Sequence, residues 1–64
     1  MYIINTDQGY MAGEFHNGLK FVDRPDARRF KFDELHFYKK EILNDLKEHY
    51  CCTEIQIEYI IENN

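Results

Sequence analysis

TEIQIEYII, residues 53–61, alternates Ile55, Ile57, Tyr59 and Ile61 with Glu54, Gln56, Glu58 and Ile60. Successive side chains of a strand point to opposite faces, so this period of two predicts a half-buried strand with one apolar and one largely acidic face. Directly upstream the period changes. Leu35, Tyr38, Ile42, Leu46, His49 and Tyr50 fall on one side of a helical wheel, with Leu43 beside them and charged residues around the rest. This predicts a helix over 33–50, opened by Asp33 as N-cap, with Phe32 and Phe37 placed to form a hydrophobic staple. A strand that follows such a helix can bury its apolar face only by joining a sheet already laid down by the N-terminal half.

That half supplies three short strand patterns: 2–6, 10–15 and 19–22. Turn chemistry separates them, Thr6-Asp7-Gln8-Gly9 and then His16-Asn17-Gly18. A three-residue second loop pairs Phe15 with Leu19, Glu14 with Lys20, and Gly13 with Phe21, which puts Met11, Phe15, Leu19 and Phe21 on one face. A four-residue first loop pairs Ile4 with Met11 and Tyr2 with Gly13. Pro25 blocks a continued central strand, and RPDARRFKF (24–32) is expected to run along the sheet edge and dock Phe30 and Phe32. The fold class is therefore α+β: a small antiparallel sheet with one helix packed on one face, in the order β-β-β-α-β, as a single domain over 1–64.

The totals bound what such a chain does. With 64 residues it builds one core and has no room for an enclosed substrate cavity. Its net charge is −4. Residues 1–32 carry five basic and four acidic groups, while 33–64 carry three basic and eight acidic, so only the first half suits a polyanion. Cys51 and Cys52 are adjacent in sequence and give no disulfide framework, which fits a reducing cytoplasm. No apolar run is long enough for a membrane span, and Met1 leads straight into a strand pattern with no signal peptide.

No constellation of catalytic groups stands out. His16, His36 and His49 lack the spacing of zinc ligands, so neither a metal nor a cofactor is expected. Cys51 and Cys52 follow His49 at a helix C-terminus, where the helix dipole opposes a thiolate. Catalytic residues are therefore expected to be none. Arg24, Arg28, Arg29 and Lys31 form the one basic cluster, and a nucleic-acid site there is the alternative reading. Asp23 and Asp26 interleave with it, and Arg stems also serve to cover apolar surface.

The acidic groups are more numerous. Glu54, Glu58 and Glu62 share the outward face of the final strand, and Glu41, Asp45 and Glu48 lie on the helix. A negative surface of this kind suits the basic groove of a protein partner. Ile3, Tyr10, Ala12, Val22 and Ile60 are expected on the sheet face away from the helix, with Phe37 on the helix exterior. Tyr10 and Phe37 join the carboxylates as candidate contact residues. Pairing of a second copy through the outer sheet face is a third candidate interaction.

Tyr2-Ile3-Ile4, Gly9-Tyr10, Ala27-Arg28-Arg29-Phe30 and Glu34-Leu35 together resemble a pattern in small phage and prophage proteins. Those proteins have an N-terminal hairpin, an A-x-x-F element before a helix, and a closing strand. The resemblance implies a mobile-element origin and action inside a host bacterium. It further implies a non-enzymatic inhibitor of one host protein, of the anti-CRISPR or other anti-defence kind, whose partner is a nucleic-acid-handling enzyme. It transfers no binding or catalytic residue to this chain.

Overall fold

The computed structural model describes residues 1–14 and 18–61. Its strands are β1 (Tyr2–Thr6), β2 (Gly9–Ala12), β3 (Lys20–Val22) and β4 (Ile55–Tyr59). One helix, α1 (Phe32–Glu48), precedes β4, and a single 3₁₀ turn (Arg24–Asp26) follows β3. The four strands form one antiparallel sheet in the order β3-β2-β1-β4. This is the α+β architecture that the change of period predicts. The first strand lies inside the sheet, between its hairpin partner and the last strand.

The β1–β2 turn is tighter than a four-residue loop. Asn5 faces Tyr10 and Thr6 faces Gly9, leaving Asp7 and Gln8 at the tip. The Thr6 hydroxyl donates to the Gly9 carbonyl at 2.8 Å and accepts from the Gln8 N–H at 3.0 Å. Beyond Asn5 the two strands splay, and the chain between β3 and α1 enters the gap. Tyr2 and Phe30 exchange both backbone hydrogen bonds at 2.8 Å, while the Arg28 N–H donates to the Met11 carbonyl at 3.0 Å. Tyr2 is thus paired with Phe30 and not with Gly13, and RPDARRFKF runs into the sheet instead of along its edge. The physical reason is the Phe30 ring. Only a position between the strands sends it into the core, where it is 1% exposed.

The β2–β3 register differs from expectation by two residues. Met11 faces Phe21 and Ala12 faces Lys20, so Gly13 is not opposite Phe21 and no Glu14–Lys20 pairing forms. A shift of two keeps every side chain on its expected face. Gly13 explains the early end of β2. Its φ is +81°, and a Cβ there would stand 2.3 Å from the Gly18 carbonyl oxygen. The strand stops at Ala12, and Phe15, expected opposite Leu19, lies outside the described residues with His16 and Asn17 of the expected loop.

Helix α1 buries Leu35, Ile42 and Leu46 against Ile4, Met11, Leu19, Phe30 and Cys52. It begins earlier than its acidic residues suggest. Lys31 is the N-cap, with no side-chain cap bond, and its carbonyl accepts from the Leu35 N–H at 2.9 Å. Asp33 therefore sits inside the first turn with Glu34, where the helix dipole favours carboxylates. The staple does not form. Phe32 is exposed and stacks on His36 one turn along, and Phe37 packs edge-on against Tyr38. Tyr38 and His49 also lie outside the buried stripe, with the His49 ring 3.7 Å from Asp45. The helix closes through Cys51 in the left-handed region (φ 57°) and a bond from the Cys52 N–H to the Leu46 carbonyl.

The outer sheet face is less open than its sequence suggests. Ile3 and Ala12 are buried there, and Ala27 is buried as the chain passes after the 3₁₀ turn. Tyr10, Val22 and Ile60 remain partly exposed. Substitution of Phe30 by alanine is expected to cost about 3–5 kcal/mol. That is comparable with the whole stability of a domain this small, so circular dichroism should find the variant largely unfolded. Gly13→Ala should remain folded but lose roughly 2 kcal/mol in urea titration, through its left-handed φ and the clash with Gly18.

Candidate functional site

The sheet ends at β4, and that edge gathers the features of a binding site. The β1–β4 ladder fixes which backbone groups of β4 are satisfied. Ile60 and Met1 exchange hydrogen bonds, the Ile60 N–H donating at 2.8 Å, and the Asp7 N–H donates to the Glu54 carbonyl at 3.1 Å. The register runs unbroken between them, from Tyr2 opposite Tyr59 to Thr6 opposite Ile55. Hydrogen-bonded and non-hydrogen-bonded pairs alternate in an antiparallel ladder. Gln56 and Glu58 therefore turn their N–H and C=O toward β1, while Ile55, Ile57 and Tyr59 turn theirs outward. Among the described residues no backbone partner stands at that edge.

The side chains of these three outward-turned residues lie on the helix side of the sheet. Ile55 and Ile57 are only partly buried, Tyr59 is 63% exposed, and Ile61 beyond the strand is 79% exposed. Above them is a hollow of about 210 Å³ lined by Tyr2, Phe32, Leu35, His36, Lys39 and Ile57. Tyr2 and Phe32 frame it, 6.2 Å apart centroid to centroid, and Tyr59 packs against Tyr2 at 5.1 Å. Pockets for drug-sized molecules run to about 300–1,000 Å³. This one has room for a single large side chain.

The charges around the edge are segregated. Around α1, His36, Lys39, Lys40 and Lys47 fall on the flank toward β4, as the place of His36 and Lys39 in the hollow requires, with Asp33 at the solvent-facing margin of that flank. Glu34, Glu41, Asp45 and Glu48 fall on the opposite flank, where Glu34 meets Arg28 at 3.5 Å. The outer face of β4 carries Gln56 and Glu58, with Glu54 just before the strand. The helix carboxylates and the strand carboxylates therefore occupy different layers and do not form one continuous patch. Glu62 lies outside the described residues.

Several expected contact residues are engaged within the chain. Glu58 accepts from the Tyr10 hydroxyl at 3.0 Å and lies 3.5 Å from the Arg24 guanidinium. Removal from water, helped by that carboxylate, pushes the Tyr10 pKa above its ordinary value. Asp45 is half-buried beside His49, whereas Glu41, Glu48, Glu54 and Phe37 are exposed. Of the basic cluster, Arg28 lies over the Phe30 ring at 4.7 Å, donates to the Gly13 carbonyl at 3.1 Å and contacts Glu34. Arg29 and Lys31 are exposed. Burial raises the pKa of the Cys52 thiol, which disfavours a thiolate nucleophile there. Among the described residues no three His, Cys, Asp or Glu converge as metal ligands, and no helix is long and apolar enough to cross a membrane.

The β1–β2 turn holds the entry to β4. The Asp7 carboxylate accepts from the Thr53 N–H at 3.0 Å, the Thr53 hydroxyl at 3.1 Å and the Glu54 N–H at 3.3 Å. Gln8 donates to the Tyr50 carbonyl. Sequence spacing gave no signal for this clasp, because Asp7 reads equally well as a turn former. No family model, curated protein or solved structure matches the chain.

Loss of water around Asp7 raises its pKa, but the hydrogen bonds from Glu54 and Thr53 outweigh that and leave it below the ordinary carboxylate value. A lowered native pKa contributes stability that is complete above the unfolded value and lost as pH falls through the native one. Asp7→Asn should therefore melt below wild type at neutral pH. The gap between the two should close as pH drops below the ordinary carboxylate range, in thermal melts followed by circular dichroism.

Proposed function

We infer that this protein is a non-enzymatic, phage-type inhibitor that binds a host protein through its exposed carboxylates. The kind of partner that suits it is a nucleic-acid-handling defence enzyme, of the CRISPR type or another, met in the cytoplasm of a host bacterium. The observation that carries the reading is the unequal use of the two signs of charge. Arg24 and Arg28 are paired with Glu58 and Glu34, so at least half of the basic cluster already has a carboxylate partner within the chain. Glu41, Glu48 and Glu54 face solvent, in a chain whose net charge is −4. Exposed carboxylates steer encounter with a basic groove and select against nucleic acid itself. The same pairing weighs against Arg24, Arg28, Arg29 and Lys31 as a nucleic-acid site.

The immobilised protein should retain one stoichiometric protein from a nuclease-treated bacterial lysate, and excess inhibitor should lower that protein's activity. Combined Glu41→Lys, Glu48→Lys and Glu54→Lys should weaken capture at least roughly tenfold, with an unchanged melting temperature. These three carboxylates are preferred to Glu58, whose loss would also strip Tyr10 and Arg24 of a partner. Nucleic acid recovered in place of a protein would sink the reading.

A further inference from the structure

We propose that β4 is a strand-accepting edge, which takes up an extended segment of the protein partner whose apolar residues alternate with lysine or arginine. The proposal rests on the binding reading above and names the mode and the chemistry of recognition. Three observations at one place support it.

The first is the backbone. The N–H and C=O groups of Ile55, Ile57 and Tyr59 point away from β1 with no partner among the described residues. An incoming strand would complete this ladder, and main-chain bonds of this kind supply affinity in strand addition. Sheet edges are commonly blunted by charged or proline residues. This one carries no proline, and its helix-side positions are Ile55, Ile57 and Tyr59.

The second is the hollow beside Ile57. A residue paired opposite Ile57 or Tyr59 sends its side chain to the helix side of the sheet. There it meets the space framed by Tyr2, Phe32, Leu35 and His36. The volume suits one large apolar side chain, and burying it would also cover the exposed Tyr59 ring.

The third is the charge on either side of the edge, which sets the facing of the incoming strand. On the helix side, His36, Lys39, Lys40 and Lys47 disfavour cations. On the outer side, the exposed Glu54 favours them, next to Gln56 and to Glu58, which Arg24 already pairs in part. Opposite charges across a strand pair stabilise, and like charges oppose. A segment that alternates apolar residues with lysine or arginine satisfies both sides in one register, and a slip of one residue violates both. A second copy of this chain fits poorly. Its own β4 would bring glutamates to the acidic side and set two basic helix flanks against each other.

The test uses two short synthetic peptides, one alternating valine with lysine and the other valine with glutamate, added at up to about millimolar concentration. Amide exchange is followed by NMR. The lysine peptide should slow exchange of the outward Ile55, Ile57 and Tyr59 amides at least roughly tenfold, and the glutamate peptide should not. Tyr59→Pro removes an outward N–H at an edge position where proline is tolerated, and Tyr59→Ala removes the ring alone. Both should melt as folded domains. The proline variant should bind the lysine peptide at least tenfold more weakly than the alanine variant.

Equal binding by the two variants, or no protection by the lysine peptide, overturns the proposal. So does a dimer seen by light scattering at micromolar concentration that protects the same amides without peptide. The failure of each reading is separable. A captured partner released by the triple lysine variant but retained by Tyr59→Pro would end strand addition and leave the acidic-surface reading standing. Protection by the lysine peptide with no partner captured from lysate would support the edge and remove the inhibitor reading alone.

Discussion

The paired hydrogen bonds between Tyr2 and Phe30 are the constraint on which the rest of the molecule depends. They occupy the side of β1 that faces away from β4 and force β1 and β2 apart. They also bring Phe30 into the core and start α1 two residues later at Phe32. The helix then has a fixed point of departure on the sheet, and its buried stripe meets Ile4, Met11 and Phe30. Arg28 secures the same wedge from above, through its stacking on Phe30 and its bond to the Gly13 carbonyl. The basic stretch thus has a mechanical task that accounts for at least Arg28 without any ligand.

A second clasp acts at the other end. Asp7 and Gln8 hold the chain where the helix ends and β4 begins. The wedge determines where α1 starts, and the clasp determines where β4 starts. Between them the helix is suspended over β1 and β2, so β4 is covered only in part. The half-buried Ile55 and Ile57, the exposed Tyr59 and the hollow beside them all follow from that offset. A small domain has one helix to cover four strands, and the outermost strand is where coverage runs out.

The periods of two and of 3.6 were enough to establish the class of fold and the helix's buried Leu35, Ile42 and Leu46, because burial imposes those periods directly. The β1–β2 register was legible where the strands pair, and in β2–β3 the faces were legible although the register was not. The β2–β3 shift of two residues preserved each face, and nothing in an alternating pattern distinguishes registers two apart. Asp33 does not fix the N-cap, because it is favourable both as a cap and in a first turn. Insertion of residues 28–30 into the sheet had no local signature, since it depends on where Phe30 finds space among distant strands. The outward-facing acidic alternation of 54–58 was plain in the sequence. The freedom of the β4 edge was not, because strand order is a property of the assembled sheet.

The order of strands also has a consequence for the order of folding. β1 is made before β2 and β3 but pairs with β4, which is made after them and after α1. Until α1 and β4 have left the ribosome, the nascent hairpin of β1, β2 and β3 carries an open flank along β1. Long-range pairings of this kind close slowly, and unpaired edges are most exposed during the delay. When β4 docks it protects β1 and takes over its position, so the vulnerability moves to the newest strand and persists in the finished protein. A sheet assembled in this order has its open edge in place only once α1 and β4 have been made.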